Sequence, residues 1–204
     1  MKKEVNEKWI RDTALIFYQI FSVDYEDEMF ENKLLQGGGG NSTLCSTWTQ
    51  LSDSFTKYRI SKKAYNLLIN IINADDRNLI MKTDNCVTIS SKIIKKKYPY
   101  LFSSNQKGSK NRKKNGQYFH FDHNPPNKTI LELLKNEVRK NIDKEDVLER
   151  LTDYIKQIQT VDLITVEEDE IRTNTDKKLK DYRMTALERD EIIDAEFYDL
   201  DIVK

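Results

Sequence analysis

The segment Gln117–Asn127 is the strongest local constraint on how this chain folds, because aromatic and polar side chains alternate along it until two prolines follow. Successive side chains of an extended strand point to opposite faces. The alternation predicts a strand with His120 and Asp122 on one face and His123 on the other. The prolines must end this strand, because proline has no amide donor and restricts the residue before it.

This predicted strand also gathers the most reactive side chains of the sequence. The two histidines of the chain, His120 and His123, both lie in it, and Asp122 directly precedes the second. A carboxylate can hold a divalent metal ion, and a neighbouring imidazole can take a proton from water. The simpler interpretation is that both histidines are partly buried strand residues and that Asp122 lies at the surface. The strand-end position and the basic segment before it favour a functional site.

Four residues resemble the HNH, or ββα-metal, nuclease motif: Asp122, His123, Asn127 and Asn136. The spacing of the two asparagines is the usual one between the second and third motif positions. The resemblance implies that Asp122 binds the metal and that His123 is the general base for the attacking water. It also implies that Asn127 braces the loop behind the histidine and that Asn136 is the second metal ligand. His120 is a candidate additional ligand or phosphate contact.

The activity that this resemblance implies is hydrolysis of DNA phosphodiester bonds by a metal-dependent endonuclease. Mg²⁺ or another divalent cation would stabilise the charge that develops on the phosphate and the leaving oxygen. The chain is similar in size and motif to type II restriction endonucleases of the HNH class, or to a phage nuclease. The expected partner is double-stranded DNA, and an enzyme that cuts a palindrome would be a two-fold homodimer.

The chain departs from the family in the connection after the strand. Only three residues separate His123 from Asn127, and the family's second strand would have to be Thr129–Leu133. The apolar residues of Lys128–Lys140 instead recur with a helical period. Such a helix would make Asn127 its N-cap and would leave Asn141 as an alternative second ligand. The zinc-knuckle cysteine pairs that are frequent in the family are missing.

Charge is distributed unevenly, although 34 basic and 34 acidic residues give a formal net charge of zero. No acidic residue occurs from Asn85 to Phe121. We interpret residues 103–116 as a mobile basic loop that contacts the phosphate backbone of nucleic acid. Its candidate contacts are Lys107, Lys110, Arg112, Lys113 and Lys114. An ordinary solvated loop is the simpler alternative. Tyr98 and Tyr100 could stack on bases, although packing at the rim of the core explains them more simply.

The last third of the chain is acidic and begins with a predicted strand, Val161–Val166. The sequence Glu167-Glu168-Asp169-Glu170 follows Thr165, which predicts a helix with acids in its first turn. These acids could be mistaken for a metal cluster, and a solvated helix end is the simpler interpretation. A contiguous acidic face here would instead suit a protein that binds a basic partner or imitates DNA.

The pattern of elements predicts an α+β fold that is predominantly helical, with a small β-hairpin carrying a ββα-metal-like site. The expected divisions are a helical segment (1–36), a Gly-rich hinge and connector (37–60), a basic nuclease-like core (61–160) and an acidic strand and helix extension (161–204). Cys45 and Cys86 are too few for a disulfide scaffold or a complete zinc site, which predicts free thiols in the cytoplasm. We expect no signal peptide and no membrane span.

Two further functions stay open from the sequence. The chain could be a non-catalytic nucleic-acid-binding protein that uses residues 92–114, with His123 incidental. A nuclease of the PD-(D/E)xK class would place acids around Val161–Val166, but no Glu-x-Lys follows at a convincing distance.

Overall fold

A computed structural model describes residues 7–23, 43–52, 55–102, 109–179 and 186–203. These residues form one six-stranded mixed sheet and a cluster of helices beside it. The strands are β1 (Lys57–Ser61), β2 (Ile80–Lys82), β3 (Cys86–Ser90), β4 (Phe119–Asn124), β5 (Thr160–Thr165) and β6 (Phe197–Val203). The helices are α1 (Glu7–Phe21), α2 (Thr43–Ser52), α3 (Lys62–Ile71), α4 (Ser109–Lys114), α5 (Asn127–Asn141), α6 (Val147–Ile158), α7 (Val166–Leu179) and α8 (Ala186–Ile192).

Sequence neighbours are often not sheet neighbours, because the strand order is β2-β3-β6-β1-β5-β4. β1 runs parallel to β5, and β3 runs parallel to β6. The pairs β1–β6, β2–β3 and β4–β5 are antiparallel. β5 and β6 are both inner strands, so the C-terminal segment expected as an extension is built into the sheet. β4 is an edge strand, and its partner β5 comes two helices later in the chain.

The helical cluster is formed by α1, α2, α5 and α6 around the buried indole of Trp48. Its buried apolar residues are Ile10, Ala14, Phe17, Phe21, Leu44, Trp48, Phe55, Ile130, Leu131, Leu134, Val138, Leu151, Ile155 and Ile158. Each buried leucine, isoleucine, valine or phenylalanine among them contributes about 1.5–3 kcal/mol by leaving water. The indole Nε1 also donates a 2.8 Å hydrogen bond to Gln159 Oε1, which ties the cluster to the start of β5.

One face of the sheet packs against α3. Ser61 ends β1 and is also the N-cap of α3, since its Oγ accepts a 3.0 Å hydrogen bond from the amide of Ala64. The strand therefore passes directly into the helix. Leu68 of α3 lies in the same core as Ile60 and Leu163 of the sheet.

The opposite face of β4 and β5 packs against α7, which in turn contacts α8. Thr165 and Glu168 form a capping box at the start of α7: the Glu168 amide donates to Thr165 Oγ1 at 3.2 Å, and the Thr165 amide donates to Glu168 Oε2 at 2.8 Å. The predicted helix start is confirmed. The interpretation of these acids as a solvated end is wrong for Glu168 and Asp169, which are only 2% and 8% exposed.

The strand and helix expected around the prolines are both present. β4 ends at Asn124, the Asn124–Pro125 peptide bond is cis, and α5 begins at Asn127 with Pro126 as its N-cap. The expectation that Asn127 is the N-cap is wrong, because Asn127 is already the first helical residue. Thr129–Leu133 is helical, so no second strand of a ββα unit lies between β4 and α5. The mixed α/β architecture is compatible with the expected α+β class.

The expected mobile loop is partly helical, because α4 occupies residues 109–114. Lys107 and the run Gly37–Gly40 lie outside the described residues. Cys45 and Cys86 form no disulfide. In the part of the chain that the structure describes, no helix has both the length and the apolar character needed to cross a bilayer.

Candidate metal centre

The edge strand β4 divides its functional residues between two faces. His120, Asp122 and Asn124 point toward α7, whereas His123 shares the other face with Phe119 and Phe121, which pack in the core under α3. The predicted alternation is therefore confirmed. Its consequence is that Asp122 and His123, although adjacent in sequence, do not face the same space.

The pairing of strands brings charged residues into one row. Asp122 of β4 is opposite Asp162 of β5, and Asp162 is opposite Arg59 of β1. Two carboxylates opposite each other on neighbouring strands repel, and Asp162 is 0% exposed. Nearby cations must therefore balance them.

Arg59 supplies part of this balance. Its Nε and Nη2 each donate a 2.8 Å hydrogen bond to Asp162, and its Nη1 donates at 2.8 Å to Asp190 of α8. Burial lowers the pKa of Arg59, but the hydrogen bonds and charges of the two aspartates outweigh burial and raise the pKa above its usual value. Burial raises the pKa of Asp190, and the hydrogen bonds and charge of Arg59 oppose this.

Arg172 of α7 is fully buried and joins three carboxylates. Its Nη1 donates to Asp122 Oδ2 at 3.0 Å and to Asp162 Oδ2 at 3.1 Å. Its Nη2 donates to Asp190 Oδ1 at 2.7 Å. The guanidinium of Arg172 also lies 5.7 Å from the ring centroid of Phe197.

Asn124 and Arg189 complete the arrangement, which we call the charge network: Arg59, Asp122, Asn124, Asp162, Arg172, Arg189 and Asp190. The side-chain Nδ2 of Asn124 donates to Asp162 Oδ2 at 2.9 Å and to Asp190 Oδ1 at 2.8 Å. Its Oδ1 accepts a hydrogen bond from Arg189 Nε at 2.9 Å. Arg189 Nη2 donates to Asp122 Oδ2 at 3.1 Å. Its arginines and aspartates are equal in number, so the buried network is electrically balanced.

A second cluster adjoins the charge network and contains His120, Asp122 and Asp169 of α7, with one ligand atom from each within 4.8 Å of the others. Asp169 Oδ1 lies 3.9 Å from His120 Nε2. We call these three residues the candidate metal centre. His120 and Asp122 are half-buried and Asp169 is buried, so the centre lies just below the surface.

The donor set suits a divalent cation. One imidazole and two carboxylates are ligands for Mn²⁺, Zn²⁺ and related ions, and carboxylates also suit Mg²⁺. Asp122 Oδ2 accepts hydrogen bonds from Arg172 and Arg189. Asp169 Oδ2 accepts a hydrogen bond from Arg112. The Oδ1 atoms accept no hydrogen bond from the residues that the structure describes, which leaves one oxygen of each carboxylate for a metal.

His123, the base implied by the resemblance, lies apart from this centre. Its Nδ1 is buried and has no hydrogen-bond partner in the described part of the chain. Burial lowers the pKa of His123, and the charge of Asp122 opposes the effect. The imidazole is therefore neutral at pH 7, as a general base must be.

Asn127 and Asn136 both lie on α5, which packs mainly against other helices. Asn127 Nδ2 donates to Thr49 Oγ1 at 2.7 Å, and Asn127 Oδ1 accepts from Gln159 Nε2 at 2.7 Å. Asn127 thus ties the start of α5 to α2 and to the residue before β5. Asn136 is exposed, nine residues and therefore about 14 Å further along the helix axis. Asn141 donates to Glu137 within α5.

The basic residues predicted to bind nucleic acid are not equally available. Arg112 pairs with Asp169, and Lys113 pairs with Glu167, so both tie α4 to α7. Lys114 is exposed. Lys110 lies on α4, in the part whose side chains the structure does not describe.

Neither the ligand Asp169 nor the charge network was predicted from the sequence. One signal was available: Asp162 lies between the apolar residues Val161 and Leu163 of a strand, where an unpaired buried carboxylate would be costly. Comparison with family models, curated proteins and solved structures gives no significant match.

Proposed function

We propose that this chain is a metal-dependent endonuclease that hydrolyses phosphodiester bonds in DNA at the candidate metal centre. The observation that carries the proposal is the convergence of His120, Asp122 and Asp169 beside the basic helix α4. Three protein ligands leave coordination positions for water and for a phosphate oxygen. A bound divalent cation would supply Lewis-acid stabilisation of the phosphate and would lower the pKa of water.

The residues of the chain would orient this centre. Arg172 and Arg189 hold Asp122 through Oδ2, which directs Oδ1 away from the charge network. Arg112 holds Asp169 in the same way and links the centre to α4. Ligands fixed by a second layer of hydrogen bonds lose little freedom when a metal binds. The neighbouring lysine Lys114 would attract the phosphate backbone without reading sequence.

The HNH assignment supplies a candidate base, and it stays a prediction. The lowered pKa of His123 supports a base, whereas its position on the sheet face opposite Asp122 favours His120 as the histidine of the metal centre. Alanine variants of the two histidines distinguish these two possibilities. If His123 is the general base, as in the HNH assignment, His123→Ala abolishes cleavage. If His120 is the essential histidine, as the strand geometry favours, His120→Ala abolishes cleavage.

Plasmid cleavage in Mg²⁺, Mn²⁺ or EDTA tests the proposal. We expect the wild-type protein to nick or cut DNA with either metal and not with EDTA. Asp169→Asn should reduce the rate on the order of a hundredfold or more, as is typical when a catalytic group is lost. Asp199→Asn is the matched control, because Asp199 belongs to the same row of the sheet but is exposed and lies outside both clusters.

The proposal fails if the wild-type protein cuts no DNA under any of these conditions, or if Asp169→Asn cuts as fast as Asp199→Asn. Discrete product bands would support a site-specific restriction enzyme on double-stranded DNA. A homodimer would then be expected from a palindromic site.

A non-catalytic nucleic-acid-binding protein is the second candidate. The observation that favours it is that arginines already neutralise Asp122 and Asp169, as in a purely structural cluster. This candidate predicts DNA binding by the wild-type protein without cleavage, and equal binding by Asp169→Asn in the presence and absence of metal.

A further inference from the structure

Tyr100 is exposed in a part of the chain that is rich in lysine and has no acidic residue. Its side chain is 49% exposed, whereas that of its neighbour Tyr98 is 6% exposed. Three exposed lysines precede it in the chain: Lys92, which is the N-cap of the π-helical turn Ile93–Lys97, and Lys95 and Lys96 within that turn. A fourth exposed lysine, Lys114, ends α4 two residues before Gly116, whose backbone lies against the Tyr100 ring. We call Tyr100 and these four lysines the lysine surface.

The Tyr100 ring is held in place by its neighbours. Gly116 has φ +74°, and a Cβ built there would lie 3.2 Å from Tyr100 Cδ2, so the glycine backbone approaches the ring closely. The Tyr98 ring meets Tyr100 edge-on, with centroids 6.2 Å apart and planes at 66°. Tyr98 is itself fixed, since its hydroxyl donates to Asp76 at 2.6 Å. An exposed ring fixed in this way loses little entropy when a ligand stacks on it.

Three exposed lysines that precede Tyr100 have no counter-charge among the described residues. Lys97 pairs with Asp76, and Lys113 pairs with Glu167. In contrast, Lys92, Lys95 and Lys96 form no salt bridge with any residue that the structure describes. A cluster of unpaired cations beside an exposed aromatic ring complements a chain of phosphates carrying bases.

The lysine surface is connected to the candidate metal centre through α4. Tyr100 lies in the 3-10 turn Pro99–Phe102, which contacts β4: Leu101 O accepts from the amide of Tyr118 at 3.1 Å, and the rings of Phe102 and Phe119 stack with centroids 5.4 Å apart. Phe119 points to the core, whereas the next residue of β4, His120, points to the opposite face, so these contacts anchor the turn. The link to the centre is α4: the Gly116 backbone lies against Tyr100 and its amide donates to Lys113 O at 3.0 Å, and Arg112 of the same helix pairs with Asp169.

We infer that Tyr100 stacks on an unpaired base of a DNA strand whose phosphates contact the lysine surface. The inference rests on the proposed function, which it narrows to DNA that has a single-stranded or unpaired segment beside the cut. The bases of a perfect duplex are already stacked on each other and offer no free face to an aromatic side chain.

Anisotropy of labelled oligonucleotides in EDTA tests this inference, because binding is then measured without cleavage. The probes are a single strand, its perfect duplex and the duplex with one bulged base. We expect the single strand and the bulged duplex to bind more tightly than the perfect duplex. Tyr100→Leu should weaken binding to these two probes roughly tenfold, as for loss of one stacked base. Tyr100→Phe keeps the ring and should bind like the wild type.

Equal affinity of Tyr100→Leu and Tyr100→Phe for the single strand would overturn the inference, as would a wild-type preference for the perfect duplex or no binding at all. These outcomes are separate from the cleavage assay. Metal-dependent plasmid cutting that is lost in Asp169→Asn would keep the proposed function even if Tyr100 has no part in binding.

Discussion

At the residue scale, the charge network holds buried ions that balance one another. Asp162 and Arg172 are both fully buried, and Asp162 also accepts from Arg59 and Asn124. Removing one charge from such a set leaves the others uncompensated in a medium of low polarity. The network therefore fixes β1, β4, β5, α7 and α8 in one arrangement.

Asp162→Asn should lower the free energy of unfolding by about 3–5 kcal/mol, because two arginines lose a shared counter-charge. Urea denaturation measures the change. Asp199→Asn, at an exposed position, should change stability by less than about 0.5 kcal/mol. Equal effects of the two substitutions would contradict the description of the network as buried and balanced.

His123 predicts a pH dependence of stability. Burial lowers the pKa of His123 in the folded protein below the unfolded value of 6.5. The unfolded chain therefore binds more protons between the two pKa values, and stability falls as the pH drops below 6.5 until the folded pKa is reached. His123→Phe removes this contribution. Urea denaturation of the variant should give a flatter pH profile just below pH 6.5, and an unchanged profile would contradict a buried neutral His123.

At the element scale, the π-helical turn Ile93–Lys97 exposes two consecutive residues of the lysine surface, Lys95 and Lys96. Neutralising two of them, as in Lys95→Gln/Lys96→Gln, should remove two phosphate contacts. The slope of the logarithm of the binding constant against the logarithm of salt concentration should then become shallower by about 1.4 for a single strand. Lys8→Gln/Lys156→Gln, a pair of lysines on α1 and α6, is a control that should leave the slope unchanged.

The sequence predicted those elements whose signals are local. β4 and its end at the prolines follow from alternation and from the missing proline amide, and α5 follows from the helical period of its apolar residues. Asp169 was missed because acids at a helix start are usually solvated, and its burial depends on α4 and β4 closing over it. Such contacts between distant segments leave no local pattern.

At the scale of the whole molecule, the C-terminal strand organises the sheet. β6 lies between β3 and β1 and pairs with both, so the last residues of the chain complete a sheet begun at residue 57. The residues of β6 alternate between apolar and acidic, but this local pattern contains no information about which strands β6 pairs with. The segment boundaries that we expected from charge and glycine content do not predict that β6 pairs with β1 and β3.

Removing residues 197–204 should therefore abolish cooperative unfolding, because β1 and β3 would each lose a partner at the centre of the sheet. The cooperativity of unfolding is measured by circular dichroism during thermal denaturation. Ile202→Thr, at an exposed position of the same strand, should keep a cooperative transition. A truncated protein with a wild-type transition would contradict the central position of β6.

The most direct test of the candidate metal centre is Mn²⁺ binding, measured by electron paramagnetic resonance without DNA. We predict that the wild-type protein and Asp199→Asn bind a single ion with equal affinity. We also predict that His120→Ala and Asp169→Asn, each lacking one ligand of the candidate metal centre, bind Mn²⁺ at least about tenfold more weakly. If all four proteins bind Mn²⁺ equally, or if the wild-type protein binds none, His120, Asp122 and Asp169 do not form a metal centre.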